Sequence, residues 1–138
     1  QAGDLVLRRL ASALVAWLRR TDVVGRYGGE EFGVLLLDTS PERAAPVIDA
    51  FRRHFSGLEM VAGGASFHVT FSAGIAGIGR TGDTAGLVAA ADRALYRAKS
   101  DGRDRVVIDD GRSGPVATAR PVDRGAAVRA TSVGRAER

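Results

Sequence analysis

The sequence predicts an α/β sandwich, a mostly antiparallel sheet flanked by helices. Three observations carry that prediction. Apolar residues recur at helical spacing in three separate segments, and short Val-rich or alternating runs bounded by glycine separate them. Read along the first 108 residues, the order is α, β-hairpin, α, β, α, β.

Residues 5–20 form the first amphipathic helix, with Leu7, Leu10, Ala11, Leu14 and Leu18 on one face and Arg8, Arg9 and Ser12 elsewhere. Gly3-Asp4 stand at its N-cap position, and Arg19-Arg20 occupy its last turn, where cations complement the helix dipole. A strand over 22–27 then meets Gly28-Gly29, a two-residue hairpin signal, because mirror-image turns need positive φ. The return strand is 30–37. Ser40-Pro41 supplies an N-cap and a first-turn proline for a helix over 41–55. Residues 57–65 read as a glycine-containing loop. Residues 66–73 alternate, with Phe67, Val69 and Phe71 on one face and His68, Thr70 and Ser72 on the other. After a Gly-rich turn, Asp83 or Thr84 starts an Ala-rich helix that runs to Ser100 and stops before Gly102; residues 105–108 form a last short strand. From Asp109 to the end, Gly, Ala, Pro, Arg and Ser dominate without periodicity, the composition of a disordered tail. The expected domains are thus 1–108, folded, and 109–138, a tail.

Composition excludes several functions. With no cysteine among 138 residues, disulfides, thiolate metal sites and cysteine nucleophiles are all absent, and a reducing, cytoplasmic setting is permitted. His54 and His68 are too few and too isolated for a zinc site. No apolar run approaches the roughly 20 residues that span a bilayer, and the first residues show no secretory leader pattern. The net charge is +4, with 14 basic and 12 acidic side chains in residues 1–108. The excess is spread out and not interleaved with aromatics, which argues against a nucleic-acid surface. The only lysine is Lys99.

The hairpin Gly28-Gly29-Glu30-Glu31-Phe32 is the first candidate for chemistry. Glycines let a ligand approach the backbone, and consecutive strand residues face opposite ways, so Glu30 and Glu31 cannot serve one ligand alike. One of them suits Mg²⁺, which takes oxygen ligands from one or two carboxylates plus substrate phosphates. Solvated carboxylates at a hairpin are the alternative, and the hairpin taken alone favours it.

The surrounding segments QAGDLVLRRLA, RRTDVVGRYGGEEFGVLLL, VTFSAGIA and ADRALYRAKSDGRDRV reverse that preference. In this order and spacing they resemble the GGDEF family of bacterial diguanylate cyclases, from Gln1 to about Ile108. The resemblance implies a fold like the palm of nucleotidyl cyclases and polymerases. It implies condensation of two GTP into cyclic di-GMP and two pyrophosphates, at a site completed by a head-to-head homodimer and assisted by two Mg²⁺. Glu30 would then be a metal ligand and the catalytic base, with Glu31 beside it in support. Gly28 and Gly29 would pass under the nucleotide, Asp4 would accept from guanine, and Lys99 and Arg103 would hold phosphates. Arg19 and Asp22 match the family's RxxD product-inhibition site for cyclic di-GMP. Each has a plainer reading: Asp4 as a helix cap, Lys99 and Arg103 as complements of a helix C-terminus, Arg19 and Asp22 as helix-end charges. A non-catalytic module that binds GTP or cyclic di-GMP to regulate a partner is the second functional reading.

The chain also departs from the family pattern. An upstream strand with a metal-binding Asp, and the Lys, Asn and His that follow it, do not precede Gln1. That strand lies centrally in the family's sheet, so the expectation is a fragment with a missing first central strand, a gap in its sheet and little or no activity by itself. An upstream sensor or membrane tether in a longer parent is compatible with all of these features.

Overall fold

The computed structural model of the chain describes residues 2–111 and 125–136. α1 (Ala2–Trp17) leads into a hairpin of β1 (Val23–Gly28) and β2 (Glu31–Leu37). After these come α2 (Pro41–Ser56), β3 (Met60–Ala62), β4 (Ala65–Gly77), the short α3 (Ile78–Thr81), α4 (Thr84–Ser100), β5 (Val106–Ile108) and β6 (Gly125–Ala136). The strand order is β1-β2-β6-β4-β3, with β5 also on β4. All pairings are antiparallel except β4 with β5. The predicted α/β class, a mostly antiparallel sheet flanked by helices, is the observed one. Among the described residues no helix is long and apolar enough to cross a membrane.

Local signals account for most boundaries. Ser40 caps α2 by accepting a hydrogen bond from the Arg43 amide at 3.3 Å, with Pro41 in the first turn. Asp83 caps α4 through the Gly86 amide at 2.7 Å. α1 differs from expectation at both ends. It includes Ala2, so Asp4 sits inside the first turn rather than at the cap. It stops at Trp17 because the Asp22 carboxylate accepts the Arg19 amide at 3.0 Å and draws the chain out of the helix.

The expected loop over 57–65 contains β3, joined to β4 through Gly63 (φ 60°) and Gly64 (φ 78°). This is the mirror-image two-residue turn that the sequence reading placed at Gly28-Gly29. β4 also outruns its predicted end at residue 73. Residues 71–77 are buried on both faces, so the run SAGIAG has lost the alternation of a half-exposed strand.

The largest correction concerns the tail and the predicted gap. Gly125–Ala136 is a strand that pairs with β2 on one side and β4 on the other. The two edges expected to be open are therefore bonded to one another through β6. A central strand must satisfy its backbone on both sides, which backbone pairing achieves whatever the side chains. Asp109, just beyond the expected domain end, is buried, and its amide donates to the Ile75 carbonyl at 2.8 Å. Residues 112–124 and 137–138 of the expected tail lie outside the described residues.

The sheet has two unequal faces. On one, Val6, Leu10 and Leu14 of α1 and Ala44, Ile48, Phe51 and Phe55 of α2 pack on Phe32, Val34 and Leu36 of β2, Val69, Phe71 and Ile75 of β4, and Ala126 and Val128 of β6. On the other, α4 lays Leu87, Ala90 and Ala91 against Ala76 and Ala127. The alanines let α4 come close to β4. A Cβ at Gly74 would lie 2.2 Å from the Leu95 amide nitrogen and 2.3 Å from the Ala91 carbonyl oxygen. Those atoms belong to helix backbone and cannot step aside. Gly74→Ala is expected to destabilise the chain by about 3 kcal/mol, the upper part of the overpacking range. Urea unfolding monitored by circular dichroism measures it, and an unchanged midpoint would contradict the close contact.

Candidate functional site

The β1–β2 hairpin is offset by one residue from its predicted form. Gly28 pairs with Glu31, and Gly29-Glu30 make the turn, with a register irregularity between Arg26 and Gly28. Neither turn residue has positive φ. Arg26, which the sequence reading did not single out, reaches across the turn. Its Nε donates to the Gly29 carbonyl at 3.0 Å, and its Nη2 donates to the same oxygen. The turn is thus held by a side chain three residues upstream.

This offset separates the two acids more sharply than strand alternation alone. Glu30 lies at the exposed tip, whereas Glu31 is half-buried on β2. Glu30 also lines a cavity of about 350 Å³ formed with Ala2, Gly3, Val6 and Leu7 of α1 and with Ala62, Ala65, Phe67 and Val69 of the β3–β4 hairpin. Among the described residues Glu30 is the one charged residue in that lining. Its shape is that of a small-molecule site, apolar walls with a single polar group at the rim. Asp4 is not in the wall, although its neighbour Gly3 is; it stands exposed in the first turn of α1.

Gly28 and Gly29 are not demanded by the fold. Their φ angles are ordinary, a Cβ at Gly29 would meet nothing within 4 Å, and one at Gly28 would meet only the Glu31 carboxylate at 4.0 Å. Open space over this backbone is what a closely approaching ligand requires.

Lys99 and Arg103 lie elsewhere on the same end of the sheet. Glu31 and Ser72 both pair with Thr131 of β6, so they stand two strand spacings apart, roughly 10 Å. The Ser72 hydroxyl accepts the Asp104 amide at 3.1 Å, which brings the turn after α4 to the level of the hairpin. Lys99 is in the last turn of α4, but Arg103 is not on the same helical face. It is past the helix end with φ 62°, its amide donating to the Ala98 carbonyl at 3.0 Å while the Gly102 amide reaches the Lys99 carbonyl at 3.4 Å. These two bonds are a Schellman ending with Gly102 in the left-handed position. Neither Lys99 nor Arg103 lines the cavity.

Arg19 and Asp22 are brought together, and they engage each other. Arg19 donates from Nε and Nη2 to the two Asp22 oxygens at 3.3 and 3.1 Å, and from Nη2 to the Leu37 carbonyl and Thr39 hydroxyl at 2.9 Å each. The Asp22 side chain is 2 % exposed, that of Arg19 60 %. The hydrogen bond to Asp22, and then its charge, raise the Arg19 pKa above the ordinary arginine value. The pair ties the α1–β1 connection to the end of β2. His54 and His68 are exposed; His54 stacks on Trp17 at a ring separation of 5.1 Å.

The donor set bears on a metal. Mg²⁺ is commonly held by one or two carboxylates with phosphate oxygens and water completing its shell. Glu30 at the cavity rim fits an ion carried in by nucleotide phosphates. Among the described residues no three of His, Asp and Glu converge as a metal cluster, so a pair of ions bridged by protein carboxylates does not fit those residues.

Comparison with known proteins supplies the family. Residues 1–105 match the model described as diguanylate cyclase, GGDEF domain. Diguanylate cyclase A of Treponema denticola is 36 % identical over 108 residues, 78 % of this chain and 29 % of that protein. The chain therefore spans less than a third of that relative's length. Among solved structures, diguanylate cyclase SiaD of Pseudomonas aeruginosa, in complex with its activator SiaC, is 40 % identical with a TM-score of 0.70, covering 76 % of this chain and 40 % of that one. The GGDEF domain of DgcB from Caulobacter crescentus, in complex with c-di-GMP, is 26 % identical with a TM-score of 0.71, covering 78 % and 64 %. The hairpin, the cavity beside it and the basic turn after α4 accordingly sit on a known scaffold: the chain belongs to the diguanylate cyclase GGDEF domain family.

Proposed function

We propose that this chain, with β6 completing its sheet, forms the GTP-holding unit of a diguanylate cyclase, which condenses two GTP into cyclic di-GMP and two pyrophosphates as a head-to-head homodimer in the cytoplasm. The observation that carries this reading is the hairpin, where two glycines that the fold does not need leave open backbone beside an exposed carboxylate at the mouth of an apolar cavity. The cavity walls suit a planar base. Asp4, one residue from the wall, would accept from guanine N–H groups at the rim. Gly28 and Gly29 would let the ribose and phosphates lie on the backbone, and Arg26 would keep the turn rigid beneath them. Lys99 and Arg103 would offset the charge of the outer phosphates. Glu30 would take the proton from the attacking ribose 3′-hydroxyl, and Glu31 would support it from β2. Bound Mg²⁺ would neutralise charge developing on the transferred phosphoryl group.

One observation favours the second reading, a non-catalytic module that binds GTP or cyclic di-GMP and acts on a partner. Among the described residues Glu30 is the one acid in the cavity wall, and a single carboxylate serves binding better than two-metal chemistry. By itself the chain is expected to bind GTP far better than it condenses it. Incubating it with GTP and Mg²⁺, with calorimetry for binding and chromatography for cyclic di-GMP, separates the readings. Product formation that Glu30→Gln abolishes supports the enzyme, binding without product supports the module, and no binding removes both. Gly29→Ala is expected to shift Tm by less than about 2 °C, as for a surface change within ~0.5 kcal/mol, while weakening GTP binding at least tenfold.

The finer proposal for Arg19 and Asp22 is product inhibition by cyclic di-GMP, which requires the guanidinium to turn outward from Asp22. Arg19→Ala is expected to relieve inhibition and also to lower the melting temperature, because Asp22 keeps the Arg19 amide but loses the guanidinium that links it to Leu37 and Thr39. Thermal melts and turnover with added cyclic di-GMP in an active parent protein measure the two effects. Lost stability with unchanged inhibition would leave the pair a purely structural tie.

A further inference from the structure

The turn that carries Arg103 is strained. Gly102, Arg103 and Asp104 are three consecutive residues at positive φ, 113°, 62° and 46°. For the two that are not glycine this conformation is sterically unfavourable, and it persists only where neighbours over-determine it. The neighbours here are identifiable. The Arg103 amide is held by the Ala98 carbonyl, and its own carbonyl accepts from Arg105 Nε at 3.0 Å. The Asp104 amide is held by the buried Ser72 hydroxyl. The Asp104 carboxylate accepts from Arg52 Nη1 at 2.6 Å, across a sequence separation of 52 residues.

Arg52 is the only one of these supports that comes from α2, on the far side of β5. Its side chain is 14 % exposed and is aimed by Asp49, one helical turn back, whose oxygen accepts from Arg52 Nε at 2.8 Å. Burial works against its charge; the hydrogen bonds to Asp104 and Asp49, with their charges, outweigh it and raise its pKa. The guanidinium is thus pre-set on one side and spends its other arm on Asp104. Arg103 and Lys99, on the same turn and the helix end before it, make no side-chain hydrogen bond or ion pair among the described residues, which leaves two cations presented at the hairpin end of the sheet beside a backbone that has been forced into place.

We propose that Arg52 is a positioning residue for this basic turn: by pairing with Asp104 it holds Arg103 in the left-handed geometry from which Arg103, with Lys99, takes the phosphates of the nucleotide. The inference rests on the phosphate role given to those two cations above. It assigns α2, otherwise a core helix, a part in ligand binding, and it predicts that removing Arg52 acts through Arg103 and not beside it.

The test uses the whole chain, GTP with Mg²⁺ as the probe, and amide hydrogen exchange. Arg52→Met is expected to weaken GTP binding about tenfold and to lower protection of the Arg103 and Asp104 amides about tenfold, with the amides of β2 and β4 unchanged. The double variant Arg52→Met/Arg103→Ala should bind no more weakly than Arg103→Ala alone, because the two changes remove one interaction. Asp104→Gly tolerates the same φ, breaks the pair from its more exposed side, and carries the same expectation should Arg52→Met fold poorly. Wild-type affinity in both Arg52→Met and Asp104→Gly, or additive losses in the double variant, would overturn the positioning role. Arg103→Ala with undiminished GTP binding would instead remove the phosphate role of the turn, and this inference with it, even where Arg52→Met loosens the amides.

Discussion

The backbone of β6 is the constraint on which the rest of the molecule depends. Without a strand between β2 and β4, the amides and carbonyls on both would face one another across a gap of about two strand spacings, too far to bond directly. Gly125–Ala136 bonds to both neighbours at once, and its buried Ala126 and Val128 pack in the core under α1 and α2 while Ala127 packs under α4. The level of everything at the functional end follows from that register. Thr131 is shared by Glu31 and Ser72, and Ser72 holds the turn of Arg103, so the carboxylate hairpin and the basic turn are positioned relative to each other through one strand.

That strand was the least legible part of the sequence. Ala126, Ala127 and Val128 are all buried, but three small residues in succession show no period, and the Gly and Arg around them read as tail composition. A strand covered on both faces and filled with alanine is recognised only through the partners that cover it. The same physics hid the second half of β4, where Gly74 and Ala76 meet α4 while Ala73 and Ile75 face α2. By contrast, the caps of α2 and α4, the hairpin and the amphipathic face of α1 are local, and local chemistry marked them correctly to within a few residues.

The site divides along the same line. The separation of Glu30 from Glu31 was legible as alternation, although the structure achieves it through a shifted turn and not through the strand itself. Asp22 was visible as half of a motif, while its burial and its capture of Arg19 depend on Leu37 and Thr39, eighteen and twenty residues beyond Arg19. Arg52 carried no signal at all. An arginine three residues after an aspartate on a helix reads as a solvated pair, and only the fold brings Asp104 to it.

The glycines show how the fold's requirements can be told from a ligand's. Gly63 and Gly64 adopt left-handed angles that a side chain would strain, and Gly74 lies against helix backbone, so each is explained by the protein alone. Gly28 and Gly29 have neither property: their angles are ordinary and the space above them is open. In a hairpin tip, where larger β-formers would pair across the strands and stabilise the turn, two glycines forgo that contribution without any return within the chain. The return must come from outside it. On the reading proposed above, a nucleotide lying on that backbone would supply the return, with Mg²⁺ standing between its phosphates and the carboxylate that the shifted turn exposes.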